Sequence, residues 1–121
     1  MQAHPQNSSV IEAVAARLAI EERGRPAIKD AGLAALHRLL PVAQRKTGQS
    51  RIVGCFLLSL YNGHAFPFPL TDLRALDTSL FKDCLALLRM DQRPEMEVHE
   101  YVEDGDAIWS QLKKDWAVRQ M

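Results

Sequence analysis

IVGCFLLSLY, residues 52–61, runs for ten positions without a charge in a chain that is 25% charged. A helix of this composition has no polar face to offer water, so other helices must wrap it, and it should form the centre of the core. It follows a basic, glycine-containing stretch, QRKTGQSR at residues 44–51, in which residues 47–50 form the turn that opens the helix. Asn62 marks its end and Gly63 supplies the stop, so the central helix is expected over about 50–62.

Upstream, Ser9 and Glu12 have the spacing of a capping box, in which hydroxyl and carboxylate each take one unpaired backbone N–H. Val10, Val14 and Leu18 then share a helical face with Ile11 and Ala15 beside them. Gly24 suits the left-handed end of a helix and Pro26 opposes its resumption, so residues 24–29 read as a linker. Asp30 can cap the next helix, whose apolar positions are Leu33, Leu36, Leu40, Val42 and Ala43. Pro41 lies inside that pattern and should kink or split it, at about 3 kcal/mol for a straight helix. Residues 1–7 read as a disordered lead-in.

Downstream, HAFPFPL at residues 64–70 is not helical through Pro67 and Pro69 and should cross the surface as an extended loop. Leu73 and Leu76 belong to a short turn beginning at Thr71. Asp77 or Thr78 caps a strong helix carrying Leu80, Phe81, Cys84, Leu85, Leu87 and Leu88. Pro94 with Glu95 and Glu97 reads as a further helix start, with Val98, Tyr101 and Val102 on one face. The alternation of Met96, Val98, Glu100 and Val102 suits an edge strand as well, and the pattern leaves both open. Asp106 caps a last helix with Ile108, Trp109, Leu112 and Trp116 on one side. The expected fold is all-α: a compact single-domain bundle of five or six helices around the central apolar one. An N-terminal helix and linker occupy residues 8–29 and the helical body residues 30–121.

At 121 residues the chain suits one domain, and 47% hydrophobic residues is ordinary for a globular protein. Its net charge is zero, which excludes a polyelectrolyte binder. The charges are unevenly placed all the same. Residues 1–60 hold eight Lys/Arg against four Asp/Glu, and residues 61–121 hold seven against eleven. Seven of those acids fall between Asp91 and Asp106, where Arg93 is the single base; Arg38, Arg45, Lys46 and Arg51 form the basic counterpart. Such asymmetry either orients a partner or a second copy, or simply gives two solvated faces. The first residues carry neither the basic start nor the apolar core of a secretory signal, and no run suffices for a membrane span. Cys55 and Cys84 sit in apolar periodic stretches as buried thiols do, so a cytoplasmic, reduced protein is expected.

Chemistry-bearing patterns are few. The turn at Gly48 between two helices has the outline of a helix-turn-helix, with Arg45, Lys46, Gln49 and Arg51 near phosphates. The second helix, however, offers IVGCFLLSLY where base edges require polar side chains. A smaller anion site is possible there, from the N–H groups of Gly48, Gln49 and Ser50 beside Lys46 and Arg51. The spacing of a P-loop is absent. No His or Cys pair has a zinc-like spacing; Glu95, His99 and Glu103 would align on a helix, where a surface ion pair explains them equally well. His37 borders an apolar face as a half-buried histidine does. Asp72 and Asp77 stand where caps are needed, and Asp83 falls on the polar side of its helix. No nucleophile–base pair stands out, so no catalytic, cofactor or metal residue is assigned. In the FPFPL segment, Phe66 and Phe68 alternate with prolines, either to clamp the core or to offer aromatic anchors to a partner.

The strings LHRLLPVAQRKTGQSR, YNG, LTDLRALD and IWSQLKKDW together resemble an uncharacterised family of small proteobacterial proteins, found among accessory genes of plasmids and integrative elements. The likeness covers about residues 33–117 and implies a bacterial protein in a mobile-element context, with no residue role to carry over. The expectation is thus a non-catalytic interaction protein whose partner is another protein or a second copy of itself. Its contacts would be Phe66 and Phe68 together with Glu100, Glu103 and Asp104. The alternative is a nucleic-acid or anion contact at Arg45, Lys46, Gln49, Ser50 and Arg51, and a second alternative is a small enzyme without a recognisable motif.

Overall fold

A computed structural model describes residues 5–117, and of residues 5–7 the backbone alone. Four α-helices, α1 (Pro5–Ala43), α2 (Gly48–Tyr61), α3 (Thr78–Asp91) and α4 (Gly105–Trp116), are joined by loops holding two 3₁₀ turns, Leu70–Ala75 and Val98–Tyr101. There is no strand among the described residues, so the fold is the all-α bundle that the apolar run requires.

α2 is the central helix. Thr47 caps it, its hydroxyl accepting from the Ser50 N–H at 3.0 Å, and Asn62 closes it. Ile52, Val53, Phe56, Leu57 and Leu58 are buried on it. Around them pack Leu36, Leu39 and Ala43 of α1, Cys84, Leu87 and Met90 of α3, Trp109 and Leu112 of α4, and Val98 of the second 3₁₀ turn. Two tryptophans tie this core to the backbone. Trp109 Nε1 donates to the Leu57 carbonyl at 3.3 Å and Trp116 Nε1 to that of Ala43 at 2.9 Å. Glycine permits the closest approaches: Gly54 lies against the Trp116 indole, and Gly32 of α1 against Met90 of α3.

α1 departs furthest from expectation. It is one helix of 39 residues, continuous through Gly24, Pro26 and residues 24–29, where a linker was expected, and through Asp30, where a second helix was to start. Ser9 consequently lies inside the helix rather than at its start, and its capping box has no end to cap. No glycine in the structure has a positive φ, so Gly24 is not a left-handed stop. The reason for continuity is tertiary. Ile28 packs on the core, Arg25 Nη2 donates to the Arg93 carbonyl at 2.6 Å, and Lys29 meets Glu95 at 3.0 Å. These contacts hold both sides of Pro26 in register and offset the backbone donor it lacks. Pro41 offers the His37 carbonyl no donor, and the helix runs two residues past it before ending at Ala43. Of the expected lead-in, residues 1–4 lie outside the described residues, and residues 5–7 already belong to α1.

Two further corrections concern the acidic segment. Pro94 does not start an α-helix, and the alternating residues after it do not form a strand. Instead the 3₁₀ turn Val98–Tyr101 is held by a reciprocal capping box between Glu97 and Glu100. Asp106 does not cap α4: its side chain is almost fully exposed in the first turn, and Asp104, at φ 59°, holds the N-cap position. Gly105 follows because a Cβ there would strike the His99 carbonyl.

Candidate interaction surface

The residues first expected to meet a partner are largely engaged within the fold. Phe66 and Phe68 are half-buried against the core, and Phe68 stands edge-on to Phe56 at 5.7 Å between ring centres. The loop carrying them is launched by Asn62, whose Oδ1 accepts from the N–H groups of His64 and Ala65. Its aromatic residues therefore clamp α2. Glu100 completes the 3₁₀ capping box, while Glu103 and Asp104 are exposed in the turn before α4.

The basic turn is likewise drawn inward. Lys46 lies 3.4 Å from Asp115 and over the Trp116 ring, and Arg51 lies 3.9 Å from Asp72. Ser50 is buried and shares its hydroxyl with Thr47. Gln49 accepts the Asp77 N–H at 2.7 Å, which joins the starts of α2 and α3. Of the five candidates, Arg45 is exposed with no ion pair among the described residues.

Asp77 caps α3 as expected, accepting from the Leu80 N–H, which holds its carboxyl below the usual range. Asp83, by contrast, is not on a solvated face. It is buried and receives Arg38 in a fork, with Nη2 and Nε at 2.8 and 3.1 Å. That pair bolts α3 to α1, a partnership across 45 residues that no local pattern announces. His37 is exposed rather than half-buried, its Nδ1 2.8 Å from the Leu33 carbonyl. His64 is exposed too. His99 is lodged edge-on against Tyr61 with Nε2 3.4 Å from Asp106, not aligned with Glu95 or Glu103. The three histidines share no partner, and no group of three potential metal ligands comes together among the described residues.

One cleft of about 540 Å³ gathers Arg51, Cys55, Phe68, Asp72 and Trp116. Burial pushes the Cys55 thiol up, against the opposing effect of Arg51, so it stays protonated at neutral pH. Cys84 is fully buried and its thiol is pushed up to about 12. Neither carries the lowered pKa of a reactive thiolate.

What stands uncovered is the N-terminal part of α1. Every residue from Ser8 to Arg23 is exposed, including Val10 (61%), Ile11 (67%), Val14 (48%) and Leu18 (50%). With Ala15 these form an apolar stripe along one face of the helix. The stripe is in phase with the buried one further along. Steps of eighteen residues, about five full turns, lead from Val10, Val14 and Leu18 to Ile28, Gly32 and Leu36, all three packed on the body. Arg93, which lies 3.9 Å from both Glu21 and Glu22, marks where the body ends and the free arm begins. The spacing of these residues was legible from the start. That the face lies bare was not, since an amphipathic pattern does not tell what covers it.

The described residues form an all-α domain, a four-helix body beyond which the N-terminal part of α1 extends with an apolar face exposed. The chain belongs to DUF7673, a family of unknown function whose model matches residues 33–117. That span covers most of the body; residues 25–32, which also pack on it, and the arm of α1 lie outside the match. No curated protein and no solved structure matches the chain. No helix among the described residues is long and apolar enough to cross a membrane.

Proposed function

We propose that this protein is a non-catalytic interaction module that docks another protein chain, helix to helix, on the free face of α1. The observation that carries this reading is the stripe Val10, Ile11, Val14 and Leu18, held in water on a helix that the body anchors only beyond Glu21. Soluble domains rarely leave a contiguous apolar strip uncovered, and covering it yields about 25 cal/mol for each Å² removed from water. The module acts in a bacterial cytoplasm, in the accessory-gene setting that the family resemblance implies. Tagged protein purified gently from its own cells tests this. The wild type should retain a stoichiometric chain, its own second copy included, that Leu18→Glu loses and Leu70→Glu keeps, because Leu70 is exposed on the first 3₁₀ turn and not on α1. Equal retention by wild type and Leu18→Glu would defeat the reading.

A further inference from the structure

We propose that the cleft lined by Arg51, Phe68, Asp72 and Trp116 binds a free α-amino acid with an aromatic side chain, Arg51 taking its carboxylate and Asp72 its ammonium group. This site lies on the body and is independent of the arm. The cleft holds about 540 Å³, within the range of small-molecule sites, and is bounded by α2, the FPFPL loop, the first 3₁₀ turn and the end of α4. Its apolar walls are fixed by contacts made elsewhere. Trp116 is held by its bond to the Ala43 carbonyl and by Gly54 against its indole, and Phe68 is held edge-on to Phe56. Pro67 and Pro69 stiffen the loop on either side of Phe68. An aromatic ring entering the cleft meets surfaces that need no ordering, which spares part of the cost of binding.

The charges of the cleft select what accompanies the ring. Cys55, one turn beyond Arg51 on α2, stays protonated, so Arg51 and Asp72 are the charged residues of the lining and cancel. Lys46 lies over the Trp116 ring but is paired with Asp115. A polyanion or polycation therefore gains little here. Arg51 and Asp72 stand 3.9 Å apart at their closest, and neither side chain makes a hydrogen bond among the described residues. Arg38 and Asp83, by contrast, are forked at 2.8 and 3.1 Å. Arg51 thus keeps its N–H donors uncommitted, and Asp72 its acceptor oxygens. An α-amino acid carries its opposite charges on a single carbon, so one molecule can meet both residues while its side chain turns to the apolar walls. Both residues are partly exposed, so water competes and binding is weak, with a dissociation constant of about 1 mM.

Heteronuclear NMR of the full chain titrated with L-phenylalanine tests this at the indole N–H signals. The Trp116 signal should shift saturably, with a midpoint of about 1 mM, while that of Trp109, buried in the core, should stay in place. Phenylalanine amide keeps the ammonium group and lacks the carboxylate; N-acetylphenylalanine keeps the carboxylate and lacks the ammonium group. Each should bind at least about tenfold more weakly than the amino acid, through loss of one charge-assisted contact. Arg51→Gln should no longer prefer the amino acid to its amide, and Asp72→Asn should no longer prefer it to the N-acetyl compound. The absence of a saturable Trp116 shift up to about twenty times the expected midpoint overturns the proposal. Equal affinity of the wild type for all three compounds overturns it as well, because the cleft would then accept a ring without reading its charges. Preferences left unchanged in both variants do the same, since the charges would then be read by other residues.

Discussion

Replacing Gly24 and Pro26 by alanine separates a continuous α1 from a helix broken by a linker, because the two arrangements predict effects of opposite sign. In the continuous helix Gly24 has a negative φ, and a Cβ at that position meets nothing within 4 Å. Gly24→Ala should then stabilise the helical arm by about 1 kcal/mol, the difference in interior helix propensity. Pro26→Ala restores a backbone donor to the Glu22 carbonyl and removes the ring clash, for up to about 3 kcal/mol more. The substitutions lie two residues apart and share one turn, so about 4 kcal/mol is an upper bound for the pair. The arm opens without the body, which makes amide hydrogen exchange at residues 9–23 the suitable assay. Protection there should rise about fivefold in Gly24→Ala and at least about a hundredfold in the double variant, at about 1.4 kcal/mol per factor of ten. Were residues 24–29 a linker with a left-handed Gly24, the first change would instead cost about 1 kcal/mol and reduce protection. Unchanged or reduced protection in the double variant would refute the continuous helix.

Gly54→Ala should destabilise the body by about 2 kcal/mol despite alanine's better helix propensity, because its Cβ displaces the Trp116 indole and its bond to the Ala43 carbonyl. A lowered denaturation midpoint with altered tryptophan fluorescence checks this, and a midpoint at or above wild type would count against the packing described. Asp91 gives a pH signature. Burial, and then Glu97, raise its folded pKa above the ordinary 3.8, so stability falls as pH rises through the interval between the two values and stays lower beyond it. Asp91→Asn should therefore be more stable than wild type at pH 7 and equal to it below about pH 3.8 in urea melts. A difference that persists or grows in acid would contradict the assignment.

Arm and body respond differently to change because local and distant contacts hold them differently. α2 was legible from composition, since ten uncharged residues are stable only when surrounded, and the turn at residues 47–50 marked where it opens, though not that Thr47 is its cap. Asp77 was readable because a cap is a local signal. The FPFPL loop followed from two prolines, which exclude a helix whatever lies nearby.

Where an outcome depended on residues remote in the chain, local rules gave the wrong answer or none. Gly24 and Pro26 carry the signature of a helix end, and contacts from Arg93 and Glu95 carry the helix past it. Asp83 looked solvated until Arg38 arrived from 45 residues away, and Lys46 and Arg51 looked free until Asp115 and Asp72 met them. Periodicity placed Val10, Ile11, Val14 and Leu18 on one face; which stretch of that face meets α3 and which is left bare follows from where α3 ends. Caps, breakers and apolar runs act within a turn or two of backbone, so one strand of text contains them. Helix continuity and the pairing of charges are set by free energies that exist only once distant segments have been brought together.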